Sequence, residues 1–236
     1  TEIIKALQDD PRTDPDDLFK VEWAYLPLLD RLNDAAPKVL ENRLASAPAF
    51  FCEVIRLIYR SKKEDKAEKE QSEQAKAIAT NAWRLLHDWQ TPPGTQPDGA
   101  FSQEQFRQWL QQTKEICAES GHLEVALLHV GNVLFYCSAD PDGLWINRAA
   151  AEALNATDAE EMRSGFSTEV YNSRGGHWVD PTGKPERDLA DQYRQKADLI
   201  ENAGYQRFAV TLRKLAESYD RDAERVIAEH SQKVAE

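Results

Sequence analysis

The chain reads as an all-α protein, and three observations carry that expectation. Apolar residues recur at three- and four-residue steps over most of the 236 residues. Prolines stand where helices would begin. Glycines punctuate the second half at a repeating interval. The expected architecture is a helical bundle over 1–90, followed by three stacked α-hairpin, HEAT-like repeats over 91–236 (about 97–138, 141–178 and 181–236).

A short first helix is predicted over 2–8. Asp14-Pro15-Asp16-Asp17 then supplies a cap, a proline at the first helical position and acids on the positive helix end. Leu18, Val21, Tyr25, Leu28, Leu29 and Leu32 follow at helical spacing. Pro27 must kink or split that helix, because it removes a backbone donor and crowds the preceding turn. Pro37 and Pro48 open two more helices, the second with a stripe of Phe50, Phe51, Val54, Ile55 and Ile58. Residues 61–76 are charged and poor in apolar side chains, and read as a loop passing into a solvated helix. Ile78, Ala82, Leu85, Leu86 and Trp89 form an amphipathic helix that Thr91-Pro-Pro-Gly ends. A subdomain boundary is expected in the loop that reaches to Phe101.

The second half repeats. Pro97-Asp98-Gly99, Pro141-Asp142-Gly143 and Pro181-Thr182-Gly183 are three turns spaced 44 and 40 residues apart. Another glycine follows each by 21 or 22 residues: Gly121, Gly165 and Gly204. Each is expected to end a helix in the left-handed conformation, with His122, Phe166 or Tyr205 opening the next apolar segment. Ser102-x-x-Gln105 and Thr157-x-x-Glu160 have the form of capping boxes, and the second implies a helix broken near Asn155. The last helix carries Phe208, Leu212, Leu215, Tyr219, Ala223 and Val226. From Arg221 onward it is charged and expected to run past the core. The chain opens on Thr1, holds one methionine (Met162) and stops inside a helical pattern, as a piece of a longer protein would.

Forty-one acidic residues against 29 basic give a formal charge of −12, which repels phosphate backbones, so no nucleic-acid partner is expected. The most apolar run, 123–137, has fifteen residues and includes His129 and Asn132, too short and polar for a membrane span. Cys52, Cys117 and Cys137 lie among apolar neighbours, and a hairpin would hold Cys117 and Cys137 roughly 20 Å apart. Free buried thiols, with no secretory signal pattern, point to the cytoplasm.

The runs Glu41-Asn-Arg-Leu, Pro48-Ala-Phe-Phe, Cys117-Ala-Glu-Ser-Gly-His-Leu-Glu-Val, Ala139-Asp-Pro-Asp-Gly and Tyr171-Asn-Ser-Arg-Gly resemble C-terminal segments of large, uncharacterised bacterial proteins. The resemblance covers the chain from about Leu18. It implies a bacterial, helical, C-terminal module and no particular activity.

Asp140-Pro-Asp142-Gly143 does not make a calcium loop. With Gly143 sixth, Ser138 falls first and Ala149 twelfth, where strong ligands are needed. His87, His122, His129, His177 and His230 lack metal-ligand spacing, so no metal or cofactor is expected, and cap or core roles are. Arg174-Gly175-Gly176 reads as a flexible turn rather than an anion nest. The densest set of polar candidates is in the connection 166–186: Tyr171, Asn172, Arg174, His177, Trp178 and Asp180. If this loop closed over a groove, Arg174, His177 and Asp180 could supply acid–base and anion-binding groups. The favoured reading is an anchor. Trp178 and Tyr171 pack on the core, Arg174 bonds the carbonyls of the helix end before it, and loss of Arg174 or His177 costs little stability. The function expected is a non-catalytic protein-interaction or scaffolding module, whose partner is another protein or the rest of the parent chain. The alternatives are an enzyme domain using the 171–180 loop, or an accessory domain of a bacterial defence or signalling ATPase.

Overall fold

In the computed structural model, which describes residues 1–29, 31, 35–63, 72–176 and 179–235, helices begin where caps and prolines put them. Helix α1 spans Glu2–Asp9 and α2 spans Pro15–Tyr25. The Asp14 carboxylate accepts from the Asp16 and Asp17 amides at 2.8 and 3.2 Å. At Pro27 the helix gives way to a 3-10 turn, Leu26–Leu28, the expected break. Leu32, the last residue of that stripe, lies outside the described residues. Helices α3 (Lys38–Ser46) and α4 (Pro48–Ile58) start at the two prolines. The charged stretch 64–71 is also outside the described residues, and α5 (Glu73–His87) follows, capped by Ser72. Then come α6 (Gln103–Ser120), α7 (Leu123–Leu134), α8 (Arg148–Asn155), α9 (Glu160–Asn172), α10 (Lys184–Asn202) and α11 (Gln206–Ala235). The fold is all-α. Among the described residues, extended pairing is limited to one isolated bridge, Thr95 with Phe101.

The chain forms two compact units, Thr1–His129 and Val130–Glu236. In the first, Phe51 on α4 is fully buried between Trp89 and Trp109, with ring centroids 5.5 and 5.2 Å away. The Trp109 indole N–H donates to the Leu44 carbonyl at 3.1 Å, so this large side chain is buried with its polar atom satisfied. Helix α3 has no capping side chain of its own. Its exposed amides are met by buried Glu22 of α2, whose carboxylate accepts from Val39 and Leu40, both at 3.0 Å. Gln8 of α1 donates to the same carboxylate at 2.6 Å and to the Ala36 carbonyl at 2.9 Å.

Helix α6 ends as its glycine requires. Gly121 sits at φ 76° and ψ 23°, the His122 amide bonds back to Cys117 O at 2.8 Å, and Gly121 N bonds to Ala118 O. The last carbonyls are covered from elsewhere in the chain. Ser61 Oγ donates to Ser120 O at 2.7 Å and Lys63 Nζ to Glu119 O at 2.7 Å, while the Lys62 amide reaches Gly121 O.

In the second unit α10 and α11 fold back on one another, joined at Gly204. The Tyr205 amide bonds to Ile200 O at 3.0 Å and Gly204 N to Glu201 O, the same left-handed ending as at Gly121. Phe166 of α9 meets Phe208 of α11 edge to face at 5.2 Å. The Asn155 side chain caps α11, accepting from the Arg207 and Phe208 amides.

The glycine spacing that suggested a helical repeat does not mark equivalent places in the structure. Gly99, Gly143 and Gly183 all have positive φ, as turn glycines should. Gly165, expected to end a helix, is instead buried inside α9. Thr157 caps nothing, because α9 starts later, at Glu160, with Ala159 before it and no side-chain cap. The expected break at Asn155 is present, and it divides this stretch into two helices, α8 and α9. Backbone approach explains a different glycine. A β-carbon on Gly131 of α7 would overlap the carbonyl oxygen of Met162 on α9.

These environments separate two substitutions. Gly204 has a positive φ but open space around it, so Gly204→Ala should cost about 1 kcal/mol, the left-handed penalty alone. Gly131→Ala should cost about 3 kcal/mol through overpacking, despite alanine's better helix propensity. Urea midpoints of the two variants check the order.

Candidate functional site

The loop after α9 begins with a helix that unwinds in steps. Ser173 N bonds to Glu169 O, Arg174 N to Tyr171 O and Gly175 N to Asn172 O, and Gly175 turns the chain at φ 56°. Arg174 is brought back onto the unit rather than out to solvent. Its Nη2 donates to Glu186 at 3.0 Å, and its guanidinium lies 5.3 Å from the centroid of the Tyr219 ring. Glu186 is buried in the first turn of α10. The expected bond from Arg174 to the carbonyls of the preceding helix is therefore replaced by an ion pair with a buried acid. A guanidinium satisfies a desolvated carboxylate better than it does a helix end already turned back on itself.

Tyr171 packs its ring 5.1 Å from Tyr219, which in turn stacks on Tyr193 at 5.8 Å. Burial pushes the Tyr219 hydroxyl up to about 12, so it holds its proton at neutral pH. Asn172 is exposed at the end of α9. Asp180 serves the next turn. Its Oδ1 accepts from Thr182 N at 2.9 Å and from Thr182 Oγ1 at 2.8 Å, and these bonds hold its carboxyl below the usual range. Gly183 follows with its backbone against Ala223 of α11. His177 and Trp178 lie outside the described residues. Of the candidates described, Arg174 and Asp180 make separate sets of bonds, Arg174 to Glu186 and Asp180 to Thr182.

Two features of the first unit escaped the sequence reading. One is a hollow of about 300 Å³ lined by Arg31, Ala35, Ala36, Lys38, Glu41, Asn42 and Thr91. Glu41 is buried there, paired with Arg31 and accepting from Thr91 Oγ1 at 2.8 Å, with burial pushing its carboxyl up. The other is on α5. Trp83 is 49% exposed and stacks flat on exposed His87, with centroids 4.8 Å apart and planes 8° from parallel. The helical stripe gave Ala82, Leu85, Leu86 and Trp89 as the inward face. A large aromatic left off that stripe was the available signal.

The histidines of this unit have structural bonds. His122 Nε2 donates to the Tyr59 carbonyl at 3.1 Å, and His129 Nε2 shares a hydrogen bond with the Tyr59 hydroxyl at 2.9 Å. Among the described residues no three His, Cys, Asp or Glu side chains are arranged to hold a metal ion, and no helix is long and apolar enough to cross a membrane. Compared with known proteins, the chain matches no family model, no curated protein and no solved structure.

Arg174→Ala should destabilise the protein by about 2 kcal/mol, because buried Glu186 loses the guanidinium that donates to it. Arg174→Lys should recover only part of the loss, and thermal unfolding of both variants tests this. His129 gives a pH prediction. Burial, with His87 adding to it, pushes its imidazole down to about 4 from 6.5. The unfolded chain takes up this proton first, so the stability is complete above about pH 6.5 and lost as pH falls towards 4. The shift is worth roughly 3 kcal/mol. Denaturant midpoints between pH 7 and 4 should fall less steeply in His129→Phe than in the wild type.

Proposed function

We propose that this chain is a non-catalytic protein-interaction module of a larger bacterial cytoplasmic protein. The observation that carries this reading is the Trp83–His87 pair. Helix α5 holds a flat aromatic plate half in solvent, and no described residue closes over the exposed half. Tryptophan is the residue type most enriched at the energetic centres of protein interfaces, since it buries much apolar area for two torsions. Leaving its ring wet costs stability that a partner would restore. The loop polar groups support the same reading, because Arg174 and Asp180 are engaged in holding α10 to its surroundings. An acidic surface at −12 favours partners of complementary, basic character.

A photo-crosslinking amino acid placed at Trp83 should yield a discrete protein adduct in the source cells, and the same probe at exposed Glu104 should not. Trp83→Ala should abolish co-purification of that adduct partner while moving the urea midpoint by less than about 1 kcal/mol. Adducts equal at both positions, or none at Trp83, would refute the reading.

A further inference from the structure

Two of the three cysteines meet in the core of the first unit. Cys52 comes from the first half of α4 and Cys117 from the last turn of α6, 65 residues later, and both are fully buried. Their sulfurs are 2.9 Å apart, inside van der Waals contact and less than an ångström beyond the length of a disulfide bond. Both are free thiols. Cys137 lies in the second unit, where burial pushes its thiol up to about 12 and keeps it inert.

We propose that Cys52 and Cys117 are an oxidation site that closes to one intramolecular disulfide, tying α4 to α6. With hydrogen peroxide as oxidant, one sulfur as thiolate attacks a peroxide oxygen. The O–O bond breaks, giving a sulfenic acid and, with a proton, water. The second sulfur then attacks the sulfenic sulfur and the S–O bond breaks. Hydroxide leaves and takes up the second thiol's proton as water. Two thiols are oxidised to a disulfide, one peroxide is reduced, and two waters form.

The surroundings favour this course over further oxidation. The hydrogen bond shared by the two thiols and the charge of Arg56 favour the thiolate of Cys117 against the burial that opposes it. The partner sulfur is already at attacking distance, so the sulfenic acid is intercepted before a second peroxide can reach it. Entry is provided by the last turn of α6. Its carbonyls are held by side chains of Ser61 and Lys63, and the two Lys63 bonds are exposed, so this turn, which carries Cys117, is where local opening would admit peroxide.

The test uses the whole chain, treated natively with excess hydrogen peroxide, then denatured and alkylated with iodoacetamide. Untreated protein should take up three labels, matching its three free cysteines. Treated protein should take up one, weigh less by the two hydrogens lost, and give a Cys52–Cys117 cross-linked peptide. Cys137→Ala should go from two labels to none, and dithiothreitol should restore both. Closing a loop of this length should raise the Tm of the oxidised protein by about 9 °C. Three labels after treatment, oxygen-added Cys52 or Cys117 without a cross-link, or a cross-link to Cys137 or between two chains would each overturn the proposal. Cys117→Ser should form no intramolecular disulfide. If that variant does not fold, the wild-type and Cys137→Ala results decide alone.

Discussion

A protein built only from helices must dispose of many helix ends, and each end presents amides or carbonyls that the helix itself cannot satisfy. This chain meets much of that demand with side chains remote in sequence. Glu22 covers the amides of α3, Asn155 those of α11, and Asp140 the Arg148 amide at the start of α8, at 2.9 Å. Ser61 and Lys63 cover the carbonyls that end α6, and Arg163 those of Leu154 and Ala156 at the end of α8. Each such bond spends a polar side chain to fix where one helix stops relative to another. Apolar packing can then proceed around settled ends.

The same economy explains the buried carboxylates. Glu22, Glu41, Asp140, Glu169 and Glu186 are all buried in a chain with an acidic excess, and each has donors arranged around it. An isolated buried carboxylate would be prohibitively costly, so these positions are held by their donors as firmly as the donors are held by them. Arg174 belongs to this set. Its place beside glycines in a polar loop suggested chemistry or a minor capping role, whereas its charge is fixed by Glu186 and by the face of Tyr219.

What could be read in the sequence follows from the range of the interactions. Asp14, Ser72 and Ser102 cap the helices that immediately follow them, and Pro27 splits the helix it interrupts. Gly121 and Gly204 end helices through bonds spanning only five residues, so their role was visible at that scale. Gly165 shares their spacing but is buried inside α9, because spacing alone does not separate a glycine that ends a helix from one within it. The meeting of Cys52 and Cys117, the bond from Arg174 to Glu186 and the approach of Gly131 to Met162 depend on which helices pack together. No local pattern encodes that. Trp83 falls off the inward stripe of α5, so the helical period places it outward but says nothing of what it meets there.

The order of the remote caps along the chain has a consequence for synthesis. Glu22 precedes α3, residues 61–63 precede the end of α6, Asp140 precedes α8, and Asn155 precedes α11. A nascent chain emerging from its N-terminus thus carries each of these caps before the helix end that needs it has been made. Those ends need not wait for distal sequence, and the first unit can settle as the ribosome extends the second. Arg163 runs the other way, arriving after the carbonyls of α8 that it covers, so the end of that short helix is completed only when α9 has emerged.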